Sequence, residues 1–257
     1  MSQYILSRRK LWIVVGIALL VIVLSGCSPN FQTIETEDLA KGSFWQKYFV
    51  YPLSFGLEWF ADHLWGQFGL SILVVTIIIR LLILPLTLKQ YRSSKAMQDL
   101  QPELKKIKEQ YKDDAKKQQE ETMKLFQKNG VNPLAGCFPI LIQMPVLIAL
   151  YNAIIWNPDI RSHTFLWFEM GKPDPYYLLP ILAAATTWIQ QQMMSSQMNA
   201  QMKSIMIIFP VMIFVMSMSF ASALPLYWFY SNLFTVVQTY FLYGRSNAKG
   251  GVKKGVA

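Results

Sequence analysis

Read for apolar and polar positions, the chain alternates between long runs free of charge and short charged stretches. Five apolar runs approach the roughly 20 residues that a bilayer requires. They predict spans at 65–87, 134–156, 176–194, 204–221 and 224–243, the last two divided by a tight turn at Ala221–Pro225. Ahead of them, 44–64 is rich in aromatics. Phe44, Tyr48, Tyr51, Phe55, Trp59 and Phe60 recur near helical spacing, interrupted by Pro52. This pattern predicts an amphipathic helix lying in a membrane interface, where Trp and Tyr are favoured. Block 88–133, between the first two spans, reads differently. Its apolar residues Met97, Leu100, Leu104, Ile107 and Tyr111 step by three and four, the spacing of a coiled-coil seam. Asp113-Asp114 divides it from a second segment carrying Met123, Leu125 and Phe126, with Pro102 expected at a kink or first turn. The block predicts a helical hairpin standing off the membrane.

Composition sharpens the class. The 257 residues are 53% hydrophobic and only 15% charged, against about 25% charged in a soluble domain. Arg8, Arg9 and Lys10 precede the apolar run Leu11–Leu24, which ends in Leu24-Ser25-Gly26-Cys27. A charged start and a short apolar run make 1–26 a targeting segment. The ending resembles the bacterial lipobox, which implies cleavage before Cys27 and lipidation of that residue; plain secretory cleavage or an uncleaved anchor are the alternatives. Residues 27–43 then form a polar, acidic, flexible tether. Charge also predicts sidedness. Segment 28–62 holds two basic residues against five acidic, and loop 157–175 two against three. Block 88–133 holds eleven basic against seven acidic, the link 195–203 only Lys203, and the tail 244–257 four basic residues and no acid. The N-terminus and loop 157–175 are expected outside; the hairpin, link and tail are expected in the cytoplasm.

The polar residues inside the spans carry the functional signal. Thr76, Arg80 and Thr87 lie within about 40° of one another on a helix. Gln143 interrupts the second span. Thr186, Thr187, Gln190 and Gln191 form two i, i+4 pairs in the third. Tyr227, Ser231, Thr235 and Gln238 form one stripe in the fifth, with Trp228 and Asn232 beside it; Ser217, Ser219 and Ser222 are read as helix–helix contacts. None of the five spans contains Asp or Glu, so Arg80 has no carboxylate partner there. An arginine at a helix centre costs roughly 2.5–3.5 kcal/mol on insertion scales. A wet cavity lined by these groups would lower that cost and leave the cation open to an anionic visitor. The expected fold is an all-α membrane protein: five transmembrane helices around a hydrophilic groove, a cytoplasmic helical hairpin and an outer interfacial amphipathic helix.

Other chemistries find little footing. His63 and His163 lack metal-ligand spacing and no catalytic triad can be assembled, so neither a metal, a cofactor nor an enzymatic activity is expected. The interleaved acids of 88–133 argue against specific nucleic-acid recognition. Proton-coupled transport usually uses intramembrane carboxylates or histidines. Channel or solute-carrier activity through the same cavity, or a purely structural lipoprotein or assembly chaperone, stay as alternatives.

Three runs resemble a known family. Asn132–Pro145 ("NPLAGCFPILIQMP"), Arg80–Tyr111 ("RLLILPLTLKQYRSSKAMQDLQPELKKIKEQY") and Leu224–Phe241 ("LPLYWFYSNLFTVVQTYF") closely resemble segments of the YidC/Oxa/Alb insertases. The resemblance covers about 44–243, and the lipobox looks like the Gram-positive branch. It implies a groove open to the cytoplasm and to lipid and closed outside. Arg80 then attracts acidic residues of the segment in transit, with Thr76 one turn earlier and Tyr227 and Trp228 matching the aromatic pair of the last span. Trp228 stands where some members carry tyrosine. Gln143, Gln190, Gln191 and Ser231 join the groove by their stripes rather than by motif. Met144, Pro145 and Leu147 match a contact slide for substrate helices. The implied partners are nascent membrane proteins, the Sec translocon, the ribosome (through hairpin and basic tail) and the lipid bilayer of a bacterial plasma membrane.

Overall fold

The computed structural model describes residues 33–131, 138–194 and 200–250, and its regular elements are helices apart from one two-stranded hairpin. The predicted signal segment 1–26, Cys27, Cys137, residues 195–199 of the link and residues 251–257 lie outside the described residues. Helix α1 is Thr36–Leu39, and a π-helical turn at Gln46–Val50 leads directly into α2, Tyr51–His63. Pro52 does not interrupt this stretch. It is the second residue of α2, directly after the π-helical turn, and the chain stays helical through it. A turn through Trp65 (φ 55°) and Gly66 (φ 73°) starts α3, Phe68–Asp99. At 1.5 Å per residue its 32 residues extend about 48 Å, well beyond a hydrocarbon layer of about 30 Å. The apolar run therefore continues unbroken into the charged block, whose Lys, Gln, Arg, Ala and Met residues are good helix formers. Among the described residues, Phe68–Met97 is the one helical segment long and apolar enough to cross a membrane; Gln143–Trp156 and Ile208–Ser217 are shorter apolar helical stretches.

Helices α4 (Gln101–Gln110) and α5 (Ala115–Lys128) pack against each other. Pro102 lies in the first turn of α4, and the Asp114 carboxylate caps α5 by accepting the Lys117 N–H at 3.0 Å. Leu100, Leu104, Leu125, Phe126 and Val131 form a small core of their own. Gly130 (φ 63°) ends α5 in the left-handed conformation, letting the Val131 N–H reach the Phe126 carbonyl at 2.9 Å.

The remaining helices are α6 (Phe138–Trp156), α7 (Pro158–Ser162), α8 (Leu178–Met194), α9 (Ala200–Ser217) and α10 (Ala223–Gly250), with β1 (Thr164–Phe165) and β2 (Phe168–Glu169) antiparallel between α7 and α8. The chain reverses between α9 and α10 at 218–222, earlier than the sequence suggests. Pro225 is the third residue of α10 rather than part of the turn, a position with no helical acceptor to lose. Helix α10 packs against α3, α6 and α8; α9 packs against α8; α2 packs against α3 and α6.

Buried apolar residues gather at the end of the bundle that carries the strands. Val50, Leu57, Ile72, Leu150, Ile154, Phe168, Met170, Leu179 and Leu226 belong to one core cluster. On α3 the buried positions stop at Thr76; on α6, among the described side chains, they begin only at Ala149. Ser222 and Ala223 donate backbone N–H groups to the Lys172 and Met170 carbonyls, fastening the start of α10 to the loop after the strands. Asp174, buried, accepts from Trp167 Nε1 at 3.0 Å and from the Leu179 N–H at 2.7 Å, capping α8. Elsewhere the bundle shows apolar side chains outward: Leu81 and Leu82 on α3, Ile208, Val211 and Val215 on α9, Val237 and Phe241 on α10. Such faces suit lipid, not water.

The segment read as a flexible tether is packed from Ile34 onward. The Ile34 N–H meets the Trp156 carbonyl at 3.0 Å, and Leu39 is buried in the main core. Thr36 joins Ser54, Glu58 and Asn157 in a buried polar cluster that binds the N-terminal strap to α2 and to the start of α7.

Candidate functional site

Arg80 lies on α3 one turn beyond Thr76, where the buried core ends. Its Nη2 donates to Gln143 Oε1 on α6 at 3.2 Å and to Ser231 Oγ on α10. The Gln143 Nε2 in turn donates to the Tyr227 hydroxyl at 2.6 Å. Tyr227 and Ser231 are i, i+4 on one face of α10, and both are buried. Four side chains from three helices thus form a closed polar triangle. The recorded ion pairs among the described residues join Lys124 to Glu120 and Glu121 and Lys172 to Glu169, so no carboxylate among them neutralises Arg80.

The other expected groove residues are placed differently. Thr76 is buried, but its hydroxyl bonds the Ile72 carbonyl of its own helix at 2.6 Å and reaches no partner across the bundle. Gln190 and Gln191 lie on α8, and no hydrogen bond among the described residues joins either to Arg80; the Gln191 Oε1 is buried without a partner. Trp228, about 100° around the helix from Tyr227, points to Phe209 on α9 with ring centroids 6.4 Å apart. On α6, Met144 is exposed together with Ile148, while Leu147 packs against the main core and Pro145 sits inside the helix.

Thr186 and Thr187 do not line the Arg80 cluster. They accept from Asn232 Nδ2 at 3.1 and 2.8 Å, tying α8 to α10. Here the polar stripe serves helix association. Asn232 follows Ser231 directly, so two adjacent residues of α10 hold different neighbours: Ser231 holds α3 and Asn232 holds α8.

Comparison with known proteins identifies the family. Residues 59–249 match the family described as 60Kd inner membrane protein. Membrane protein insertase MisCA of Bacillus subtilis (strain 168) is 48% identical over 97% of this chain and 100% of its own length. The chain belongs to the YidC/Oxa/Alb membrane protein insertase family. Membrane protein insertase YidC 2 of Bacillus anthracis is 44% identical over 96% of this chain and 100% of its own. A crystal structure of an active YidC insertase with its first transmembrane domain resolved superposes with a TM-score of 0.64 at 29% identity, covering 78% of this chain. This chain spans 47% of that one. The YidC family segment contains the whole Arg80 triangle and both helix ties of α10.

Sequence reasoning missed the polar cluster under the strap. Asn157 is the clearest of its members. Its Oδ1 accepts the Asp159 and Ile160 N–H groups, capping α7, while its Nδ2 donates to Glu58 Oε1 at 2.5 Å. The Asn-Pro-Asp order at 157–159 is itself a helix-start signal. Nearby, His163 meets Phe68 edge-on, and burial holds its pKa below the ordinary imidazole value. Among the described residues no group of three or more His, Cys, Asp or Glu could hold a metal ion.

Proposed function

We propose that this chain inserts integral membrane proteins into a bacterial plasma membrane and helps them fold, alone or with the Sec translocon. One observation carries the reading: Arg80 sits where three helices meet, beyond the end of the packed core, with only neutral partners among the described residues. In the proposed membrane frame five spans (α3, α6, α8, α9 and α10) surround a groove. The strand-bearing end faces outside and is closed by the core. The α4–α5 hairpin and the basic tail face the cytoplasm, where they meet ribosomes and nascent chains, and α2 lies in the outer interface. Cys27 carries the lipid anchor outside.

The mechanism is physical. A nascent span with a short acidic tail enters from the cytoplasm, and Arg80 holds the tail partway, so that it never crosses the full hydrocarbon thickness. Two unit charges 4 Å apart at an effective dielectric near 20 attract by about 4 kcal/mol, enough to offset much of the tail's dehydration. A membrane potential adds about 2.3 kcal/mol per charge per 100 mV in the outward direction for an acid. Met144 and Ile148 on the exposed side of α6 give the apolar span a surface to slide along into lipid. Trp228 and the amides of α8 lie on the groove's flank. The test is reconstitution of full-length chain in vesicles with single-span substrates differing in tail charge. Arg80→Ala is expected to lose insertion of acidic-tailed substrates by at least tenfold, with Arg80→Lys retaining much of it. Unchanged insertion by Arg80→Ala for every tail refutes the electrostatic capture.

A further inference from the structure

Gln143 stands where an incoming carboxylate must go. A guanidinium can hold a carboxylate bidentately in two ways, end-on through Nη1 and Nη2 or side-on through Nε and Nη2. Both use Nη2. In this structure Nη2 is held by two neutral acceptors, Gln143 Oε1 and Ser231 Oγ, one for each of its hydrogens. Bidentate capture therefore requires that one of them leave.

The geometry points to Gln143. Ser231 is buried on α10, which packs along α3. Gln143 is half-buried on a longer, more flexible side chain, and its bond to Arg80 is the looser kind at 3.2 Å. Its amide also has a second attachment: Nε2 stays on the Tyr227 hydroxyl at 2.6 Å when Oε1 lets go. Departure thus cuts one side of the triangle and leaves two. The side that is cut is the α3–α6 tie. Nearer the strand-bearing end both helices contribute to the main core, and α2 and α10 each pack against both.

We propose that Gln143 is a built-in competitor for Arg80. It sets the threshold an incoming group must exceed, and its displacement by a carboxylate unties α3 from α6. A hydroxyl or amide in transit offers Nη2 nothing better than Gln143 already gives. A carboxylate offers opposite charge and two parallel N–H···O bonds in place of one neutral acceptor. The resting site is therefore self-capped, and an acidic residue both occupies it and releases one wall. This inference rests on the reading of Arg80 as the capture site for acidic segments.

The experiment uses full-length chain in vesicles and one single-span substrate in two forms, with Asp/Glu or with Asn/Gln in its short tail. The substrate level is set so that the acidic form is inserted near its plateau by wild type. Gln143→Ala removes the competitor and is expected to raise insertion of the amide-tailed form about tenfold, the low end for a hydrogen bond to a charged group. Gln143→Glu, nearly isosteric, supplies a resident carboxylate and is expected to lower insertion of the acidic form tenfold or more. Its resistance to SDS unfolding should at least match wild type, which separates occupation of Arg80 from loss of fold. No rise with Gln143→Ala, or wild-type insertion of the acidic tail by Gln143→Glu, overturns the competitor. If Arg80→Ala itself spares acidic tails, capture at Arg80 fails and this inference fails with it. If Arg80→Ala blocks them and the Gln143 variants do not respond, only the competitor is refuted.

Discussion

Asn157→Ala tests whether the N-terminal strap is held by chemistry or merely lies against the bundle. Asn157 is almost fully buried and serves two sets of partners at once. Its Oδ1 caps α7 through the Asp159 and Ile160 N–H groups at 2.9 and 3.1 Å. Losing such a cap costs about 1 kcal/mol. Its Nδ2 donates to Glu58 Oε1 and to Thr36 Oγ1. Glu58 would keep the Thr36 hydroxyl but lose this second donor, and a hydrogen bond to a charged group is worth about 2 kcal/mol. An opening that releases both the strap and the start of α7 should become easier by about 3 kcal/mol, or about a hundredfold at 1.4 kcal/mol per decade. Amide hydrogen exchange measures this directly, read at Ile34–Leu39 and at Ile160–Arg161 of the full chain in detergent. Exchange within threefold of wild type at both segments would show that the cluster does not hold the strap. Asn157→Asp adds a second test. It keeps the cap but replaces the donor to Glu58 with a second carboxylate, so protection should fall at both segments although the cap survives.

Two further outcomes are expected. Asn232→Leu should weaken the α8–α10 tie by only about 1 kcal/mol, read by SDS unfolding, because intramembrane hydrogen bonds average about 0.6 kcal/mol; the Thr186 and Thr187 hydroxyls still bond the Leu182 and Ala183 carbonyls, and a loss above 3 kcal/mol would contradict this. Gly69→Ala would place a Cβ 2.3 Å from the Phe165 ring, so it should destabilise by about 1–3 kcal/mol and be partly rescued by Phe165→Leu in the same unfolding assay; full stability without the rescue would show that the strand hairpin does not pack on α3 as described.

The sequence made helices easy to read and their partners hard. A lipid-facing helix is apolar nearly all round, so the runs around Ile77 and Val211 announce themselves by composition. Helix ends depend on local chemistry that composition blurs. The charged block after Thr87 continues α3 because its residues favour helix, and Pro225 enters α10 because a first turn has no acceptor to lose. The polar stripes posed a deeper difficulty. A stripe gives a face but not what that face meets. Arg80, Gln143, Tyr227 and Ser231 converge, whereas Thr186 and Thr187 pair with Asn232 to join helices. Trp228 and Tyr227 are neighbours in sequence and part company by 100° of rotation. The strap was illegible for another reason. Thr36, Ser54, Glu58 and Asn157 are scattered over more than 120 positions, and hydrophobicity does not reveal that an acidic, polar stretch ends in a buried Leu39.

The one-sided packing of the bundle makes it a clip. Helix α6 is gripped from Ala149 onward, whereas from Gln143 to Ile148 its side chains are half-buried or exposed, with Val146 and Leu147 touching the core and Gln143 held by Arg80 and Tyr227. Swinging the stretch from Ala149 back to Gln143, about 9 Å at 1.5 Å per residue, by about 10° moves Gln143 by about 1.6 Å, while the tightly packed residues near the pivot barely shift. The Gln143 contact thus shifts by leverage, with no core side chain repacked.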